Sequence, residues 1–225
     1  MTTKQRPRRA RSASVHVAQP SPSLQFCIEF VLDETGSMSR VQRQTVAGFN
    51  EFLSEQQAQE GDCRLSLSKF ESGSIRCPVQ GMDIGLVPPM SLKTFRPGGG
   101  TNLFDAIGDR IEALEDRLSS WAVKPQVFFV VMTDGGDSMS TFFNSDMIFR
   151  MVTQKRDSGW TFAYLGADRN ALQIGRNLGF RDSEITCFEQ ANIENVFRDL
   201  SAATTVHRAS VTAGSYSTQS ASVSR

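Results

Sequence analysis

The chain has 225 residues, enough for one large α/β domain with tails, and no apolar run long enough for a predicted membrane span. Its 24 basic and 24 acidic side chains cancel, but the first 24 residues hold five basic and no acidic ones, which leaves 19 against 24 in the remainder. The rest of the chain is mildly acidic, which does not favour nucleic-acid binding except through the basic tail. The N-terminus lacks the apolar segment of a secretory signal. The four cysteines show no C-x-x-C spacing, which does not favour a zinc site.

The first half of the chain predicts a strand, a helix and a strand hairpin. Residues 24–32 (LQFCIEFVL) are apolar and strand-like, and apolar side chains from 41 to 53 then recur at helical spacing. Residues 63–70 (CRLSLSKF) alternate as a half-buried strand, ESGS predicts a turn at 71–74, and residues 75–79 pair back as a short antiparallel strand. The hairpin therefore places one antiparallel strand at an edge of the sheet.

The second half predicts helices and strands in alternation. A helix is predicted from 103 to 118, and residues 126–132 (QVFFVVM) form a continuous apolar run, typical of a parallel strand buried on both faces. The remaining predicted elements are a helix at 142–157, a strand at 160–165, a helix at 168–178, a strand at 184–188 and a last helix from 193 to 206.

This order predicts an α/β fold: a doubly wound, mostly parallel six-stranded sheet with one antiparallel edge strand and helices on both faces. The folded body is expected to span residues 24–208. Residues 1–23 are basic and punctuated by proline, and residues 209–225 are rich in Ser and Thr without apolar periodicity. Neither segment has the apolar material for a core, so both are predicted to be disordered tails.

Five oxygen-bearing side chains in three separate motifs predict one divalent-cation site. They are Asp33, Thr35 and Ser37 in VLDETGSMS, Thr101 in GGGTN, and Asp134 in VVMTDGG. The first and last motifs follow predicted buried strands, so they lie at strand carboxyl ends, where open α/β sheets bind ligands. Carboxylate and hydroxyl oxygens are hard ligands suited to Mg²⁺, Ca²⁺ or Mn²⁺. The alternative is that these residues only cap helices and form turns.

The pattern D-x-[ST]-x-S, followed by a distant Thr and a distant Asp, resembles the metal-ion-dependent adhesion site of von Willebrand factor A domains. A closer resemblance, over nearly all of the body, is to free-standing single-domain members from bacteria and phages. It is carried by VLDETGSMS, GDCRLSLSKF, GTNLFDAIG, VVMTDGGDS and GWTFAYLGADRNA. The resemblance implies the strand order 3-2-1-4-5-6, which places the loops of Asp33 and Asp134 side by side.

The resemblance also implies a role for each site residue. Thr35, Ser37 and Thr101 are expected to ligate a cation directly or nearly so, with Mg²⁺ the first expectation and Ca²⁺ or Mn²⁺ the alternatives. Asp33 and Asp134 are expected to act largely through waters. An acidic side chain of a partner protein then completes the coordination shell.

Two further carboxylates flank these residues. Glu34 departs from the commoner family pattern, and its charge would raise the affinity for a cation or weaken the binding of acidic ligands. Asp137 lies three residues after Asp134, in TDGGD. Each is a candidate for a supporting position beside the cation, with a solvated loop carboxylate as the alternative. The glycines at 98–100 predict either a mobile loop or a simple turn into the next helix. We expect Phe142 and Phe143 either to pack in the core at the start of the next helix or to form an apolar rim of the site that contacts a partner.

The functional prediction is a non-enzymatic interaction module that binds a protein bearing an exposed Asp or Glu. Asp33 is not part of the D-x-D or D-[ST]-G signature of two enzyme classes, because Glu34 and Thr35 follow it, and GGGTN lacks the G-K-[ST] of a P-loop. One alternative is a structural or assembly component, for example of a phage particle, which self-assembles and holds a structural metal. A weaker alternative is a metal-dependent hydrolase. A cytoplasmic location is expected, or a virion if a phage encodes the chain.

Overall fold

A computed structural model describes residues 25–167 and 170–222, with side chains described up to residue 210. The predicted N-terminal tail therefore lies outside the described residues. Six strands form one sheet: β1 (Phe26–Asp33), β2 (Cys63–Glu71), β3 (Ser74–Asp83), β4 (Gln126–Thr133), β5 (Thr161–Ala167) and β6 (Ile185–Phe188).

The strand order across the sheet is β3-β2-β1-β4-β5-β6, which confirms the predicted order. β3 runs antiparallel to β2 at one edge, and every other neighbouring pair is parallel. β1 lies in the centre between β2 and β4, and all eight of its residues are buried. The predicted fold class is confirmed: an α/β sheet with a single antiparallel edge strand.

Five α-helices cover the two faces of the sheet: α1 (Gln42–Gln57), α2 (Leu103–Ser119), α3 (Ser145–Asp157), α4 (Ala171–Asn177) and α5 (Ile193–Ser222). Successive side chains of a strand point to opposite faces, so β1 feeds two cores. Phe30 packs in one core with Phe49 of α1 and Phe197 of α5. Val31 packs in the other core, which α2, α3 and α4 cover. Helices thus cover both faces of the sheet, which leaves the ends of the strands available for a binding site. No helix in the described part of the chain is long and apolar enough to cross a membrane.

Two helices begin later than their apolar patterns predict. α3 begins at Ser145, not near 142, because Asn144 caps it by accepting a hydrogen bond from the Met147 amide at 3.0 Å. The amides of Phe142 and Phe143 instead donate to the side chain of Asp105, which keeps this segment in a loop. α4 begins at Ala171, and residues 168–169 before it are outside the described part.

The last helix continues to Ser222, past the predicted end of the body at 208. The prediction of a disordered tail used the lack of apolar periodicity after 208. A helix that is already anchored extends at one backbone hydrogen bond per residue, and no proline interrupts the segment. The anchor includes Arg208, which is buried and donates to the carbonyl of Gln56 at the end of α1 at 2.5 Å.

Candidate cation site

The two central strands end at the same edge of the sheet. β1 and β4 are parallel neighbours whose register pairs Leu32 with Met132. Asp33 closes β1, and Thr133 closes β4 with Asp134 immediately after it. The sheet topology therefore brings the first and third motifs together from positions about a hundred residues apart in the chain.

A chain of hydrogen bonds links the side chains of these two loops. One carboxylate oxygen of Asp33 accepts from the Thr35 amide at 2.7 Å, and the other accepts from the Thr133 hydroxyl at 2.6 Å. The hydroxyls of Thr35 and Ser37 lie 3.2 Å apart. The Ser37 hydroxyl donates to Oδ1 of Asp134 at 2.5 Å. Four of the five predicted ligands thus form one connected cluster.

The loop that carries Thr101 joins the same cluster. The amide of Gly36 donates to the carbonyl of Gly99 at 3.1 Å, and the Met139 amide donates to the carbonyl of Thr101 at 2.9 Å. A Cβ built on Gly135 would lie 4.0 Å from Oγ1 of Thr101. The Thr101 hydroxyl therefore faces the loop of Asp134, and all five predicted ligands occupy three adjoining loops.

The two carboxylates of the cluster are buried or partly buried, and neither is in an ion pair in the part of the chain that the structure describes. Asp33 is fully buried and Asp134 partly so, and burial raises the pKa of each carboxyl above its ordinary value. Arg40 lowers the pKa of Asp134 to a lesser degree, and the charge of Asp134 raises that of Asp33. Within the described residues neither carboxylate forms an ion pair with Lys or Arg. A divalent cation would offset both charges, so the cluster fits one.

The donor set suits a hard cation. In the described part of the chain no three His, Cys, Asp or Glu side chains gather as a metal cluster. The donors are two carboxylates and three hydroxyls, a combination typical of Mg²⁺, Ca²⁺ and Mn²⁺ and not of zinc.

Glu34 does not lie in a solvated loop, and that alternative is wrong. Its side chain is fully buried and forms ion pairs with Arg76 and with Lys69, the latter at 3.7 Å. Oε1 also accepts from the backbone amide of Arg96 at 2.7 Å. These contacts balance the charge of Glu34 with basic side chains that are not among the five predicted ligands.

Asp137 supports the helix that follows Thr101. Its Oδ1 accepts from the amide of Phe104 at 3.2 Å, in the first turn of α2, and it also bonds Ser140. Asn102 occupies the N-cap position, but its side chain makes no capping bond. The free amides at a helix start need partners, and Asp137 supplies one across the two loops. It therefore holds the Thr101 loop against the Asp134 loop.

Asp105 is a site-supporting residue that the sequence analysis missed. Its carboxylate accepts from the amides of Thr141 at 2.9 Å, Phe142 at 2.9 Å and Phe143 at 2.8 Å. These bonds fix the far end of the Asp134 loop to α2. An acidic residue in the first turn of a helix is so common that its position alone could not have revealed this role.

Two exposed apolar side chains lie in the loop that follows Asp134. Phe142 is 80% exposed and Met139 is 47% exposed, whereas Phe143 is only partly exposed and packs against Gly108 of α2. A Cβ on Gly100 would lie 2.4 Å from the sulfur of Met139, so this side chain covers the Thr101 loop. Of the two alternatives for these phenylalanines, helix packing therefore holds for Phe143 and not for Phe142.

Solved structures share this fold. The pilus adhesin SpaC from Lactobacillus rhamnosus GG, in its open conformation, matches with a TM-score of 0.62 at 14% identity over 84% of this chain and 31% of SpaC. Proximal thread matrix protein 1 from the mussel byssus matches with a TM-score of 0.54 at 14% identity over 78% of this chain and 46% of that protein. Manganese-loaded TRAP from Plasmodium vivax matches with a TM-score of 0.55 at 14% identity over 77% of this chain and 72% of that chain.

These similarities show a von Willebrand factor A-like fold and no more than the fold. This chain spans less than half the length of SpaC and of the byssus protein. No protein-family model and no curated protein sequence matches the chain. The conclusion on function therefore depends on the site itself.

Proposed function

We propose that this chain is a non-enzymatic protein-interaction module. It binds one divalent cation through Asp33, Thr35, Ser37, Thr101 and Asp134, and the partner protein supplies an exposed Asp or Glu to the cation. The observation that carries the proposal is the convergence, at one edge of the sheet, of three hydroxyls and two carboxylates that form no ion pair within the described residues.

The chemistry of the cluster favours recruitment of an acidic group. The two carboxylates carry a charge of −2, so a divalent cation would leave the site near neutrality and able to attract one more carboxylate. We name Mg²⁺ first, with Mn²⁺ and Ca²⁺ as the alternatives. TRAP of the same fold is manganese-loaded, which supports a divalent cation at this fold.

The surface beside the cluster also supports a protein partner. The exposed side chain of Met139 covers the Thr101 loop, Phe142 is exposed at the far end of the Asp134 loop, and Met and Phe are enriched where proteins contact one another. SpaC is a pilus adhesin, which is in keeping with a binding role for this fold. The chain would then bind its partner by a charge interaction at the cation, with apolar contacts on one side of it.

Cation binding by the purified chain tests the proposal. Titration with Mn²⁺, followed by calorimetry and by the electron paramagnetic resonance of free Mn²⁺, should show one site per chain. Asp134→Asn removes one of the two charges and should weaken binding at least about tenfold, or about 1.4 kcal/mol. Asp116→Asn, an exposed carboxyl on α2 away from the cluster, is the matched control and should bind as the parent does. Equal Mn²⁺ affinity of all three proteins would refute the proposed site.

A further inference from the structure

A concave surface lies beside the edge strand, and none of the five predicted cation ligands lines it. It is a cleft of about 410 Å³ between β3 and the loop that precedes α2. We call it the β3 cleft. Its apolar wall consists of Leu67, Pro78, Val79, Pro88, Pro89 and Met90. Its basic residues are Lys69, Arg76, Lys93 and Arg96, and Glu34 is its one acidic residue.

The charges of the β3 cleft are unbalanced. Glu34 is already bonded to Arg76 and Lys69. Lys93 and Arg96 are both exposed, and neither forms an ion pair with any other described residue. The guanidinium of Arg96 is oriented by a 2.7 Å hydrogen bond from its Nε to the carbonyl of Lys93. The cleft therefore presents excess positive charge on a chain whose body is otherwise acidic.

The loop that carries Lys93 and Arg96 is held in place by the fold. Lys69 is buried, lies over the ring of Phe95 at 5.5 Å and donates to the carbonyl of Thr94. These contacts fix the loop that carries Lys93 and Arg96 against β2. Because the loop backbone and the Arg96 guanidinium are held before any ligand arrives, binding here costs less ordering.

We propose that the β3 cleft binds an acidic, partly apolar peptide segment of a partner protein. The excess cations match carboxylates, and the apolar wall matches aliphatic side chains between them. The terminal segments of this chain do not fit that chemistry, since neither residues 1–24 nor residues 209–225 contain Asp or Glu.

The composition of the cleft favours peptide over nucleic acid. None of its lining residues is aromatic, so it has no platform on which bases could stack. Pro78 lies in the edge strand and has no backbone N–H, which disfavours a ligand that adds to β3 as a further strand. Side-chain contacts with Lys93, Arg96 and the apolar wall would therefore hold the segment.

Fluorescence anisotropy with a labelled peptide in which Glu alternates with Leu and Pro tests the proposal. The full chain is used with EDTA present, so that no cation site contributes and failure of the proposed function would leave the result unchanged. We expect the Glu peptide to bind, the same peptide with Gln for Glu not to bind, and affinity to fall as salt rises. The double variant Lys93→Glu/Arg96→Glu should bind about tenfold more weakly, as expected for the loss of two exposed charge pairs.

The controls separate charge at the cleft from charge in general. Arg150→Glu/Arg198→Glu makes the same change in net charge at exposed positions on α3 and α5 and should bind as the parent does. Lys93→Gln/Arg96→Gln should give an intermediate loss, and unchanged thermal unfolding shows that the variants fold. Absence of binding by the parent, or equal binding by the parent and the Lys93→Glu/Arg96→Glu variant, would overturn the proposal. The proposal would also be overturned if an oligothymidylate of equal charge bound the same residues as tightly as the peptide does.

Discussion

Replacement of Gly99 by Ala should damage both the fold and the candidate cation site. Gly99 has a φ of +67°, in the left-handed region that residues with a Cβ rarely adopt. A Cβ at this position would lie 1.7 Å from Oγ and 2.9 Å from Cβ of Ser72. The loop must therefore shift, and it carries the Gly99 carbonyl that holds Gly36 as well as Thr101 two residues later.

The expected cost has two parts. A left-handed conformation costs an L-residue about 1–2 kcal/mol. Overlap with a neighbour that cannot fully yield costs about 1–3 kcal/mol. Together they predict that Gly99→Ala lowers the free energy of unfolding by about 2 kcal/mol or more. Gly98→Ala is the matched control, because Gly98 does not have a left-handed φ and a Cβ there meets nothing within 4 Å.

Urea unfolding in EDTA measures the stability of both variants without any contribution from a bound cation. Gly98→Ala should change it by no more than about 0.5 kcal/mol in the destabilising direction. Mn²⁺ titration then measures the site, and we expect weaker binding only for Gly99→Ala, because Thr101 moves with the loop. If Gly99→Ala is as stable as Gly98→Ala and binds Mn²⁺ equally well, the described geometry of this loop is refuted.

Two further predictions concern the core and its response to pH. Gly48→Ala should destabilise the chain by about 1–3 kcal/mol in urea unfolding, because the added Cβ would lie 2.2 Å from the ring of Phe197. This loss is expected although Ala is the better helix former. The double variant Gly48→Ala/Phe197→Leu should recover part of the lost stability, and no recovery would contradict this packing. Burial lowers the pKa of His207 below its unfolded value of about 6.5, so protonation favours the unfolded chain. The contribution of the neutral imidazole to stability is therefore complete above about pH 6.5 and is lost as pH falls from there through the folded pKa. His207→Gln should reduce the change in unfolding free energy between about pH 8 and about pH 5, and an unchanged pH dependence would count against this.

The strands could be predicted from local patterns, whereas their order across the sheet was implied by the resemblance to von Willebrand factor A domains. β1 and β4 are nearly continuous apolar runs, which marks strands buried on both faces, and β2 alternates before a turn. Once two buried strands are neighbours, the residues that follow them must share an edge. The positions of Asp33 and Asp134 were therefore predictable from segments that are far apart in sequence.

The supporting contacts of the site could not be predicted in this way. Asp105 bonds amides that lie 36 to 38 residues later, and Asp137 bonds the amide of Phe104 33 residues earlier. Such bonds depend on how two loops settle against each other, and no spacing rule encodes that. The later start of α3 has the same origin, since Asp105 takes the amides of Phe142 and Phe143.

Glu34 shows how one loop can separate two kinds of charge. Asp33 directs its carboxylate to Thr35 and Thr133, within the proposed cation site. Glu34, the next residue, directs its carboxylate to Arg76 and the Arg96 amide in the β3 cleft. Its charge is therefore neutralised by basic residues and does not add a third negative charge to the cation site. A negative charge that would have weakened the binding of acidic ligands instead anchors the basic cleft. The two proposed surfaces, one organised around anionic oxygens and one around basic side chains, therefore lie next to each other without cancelling each other's charge.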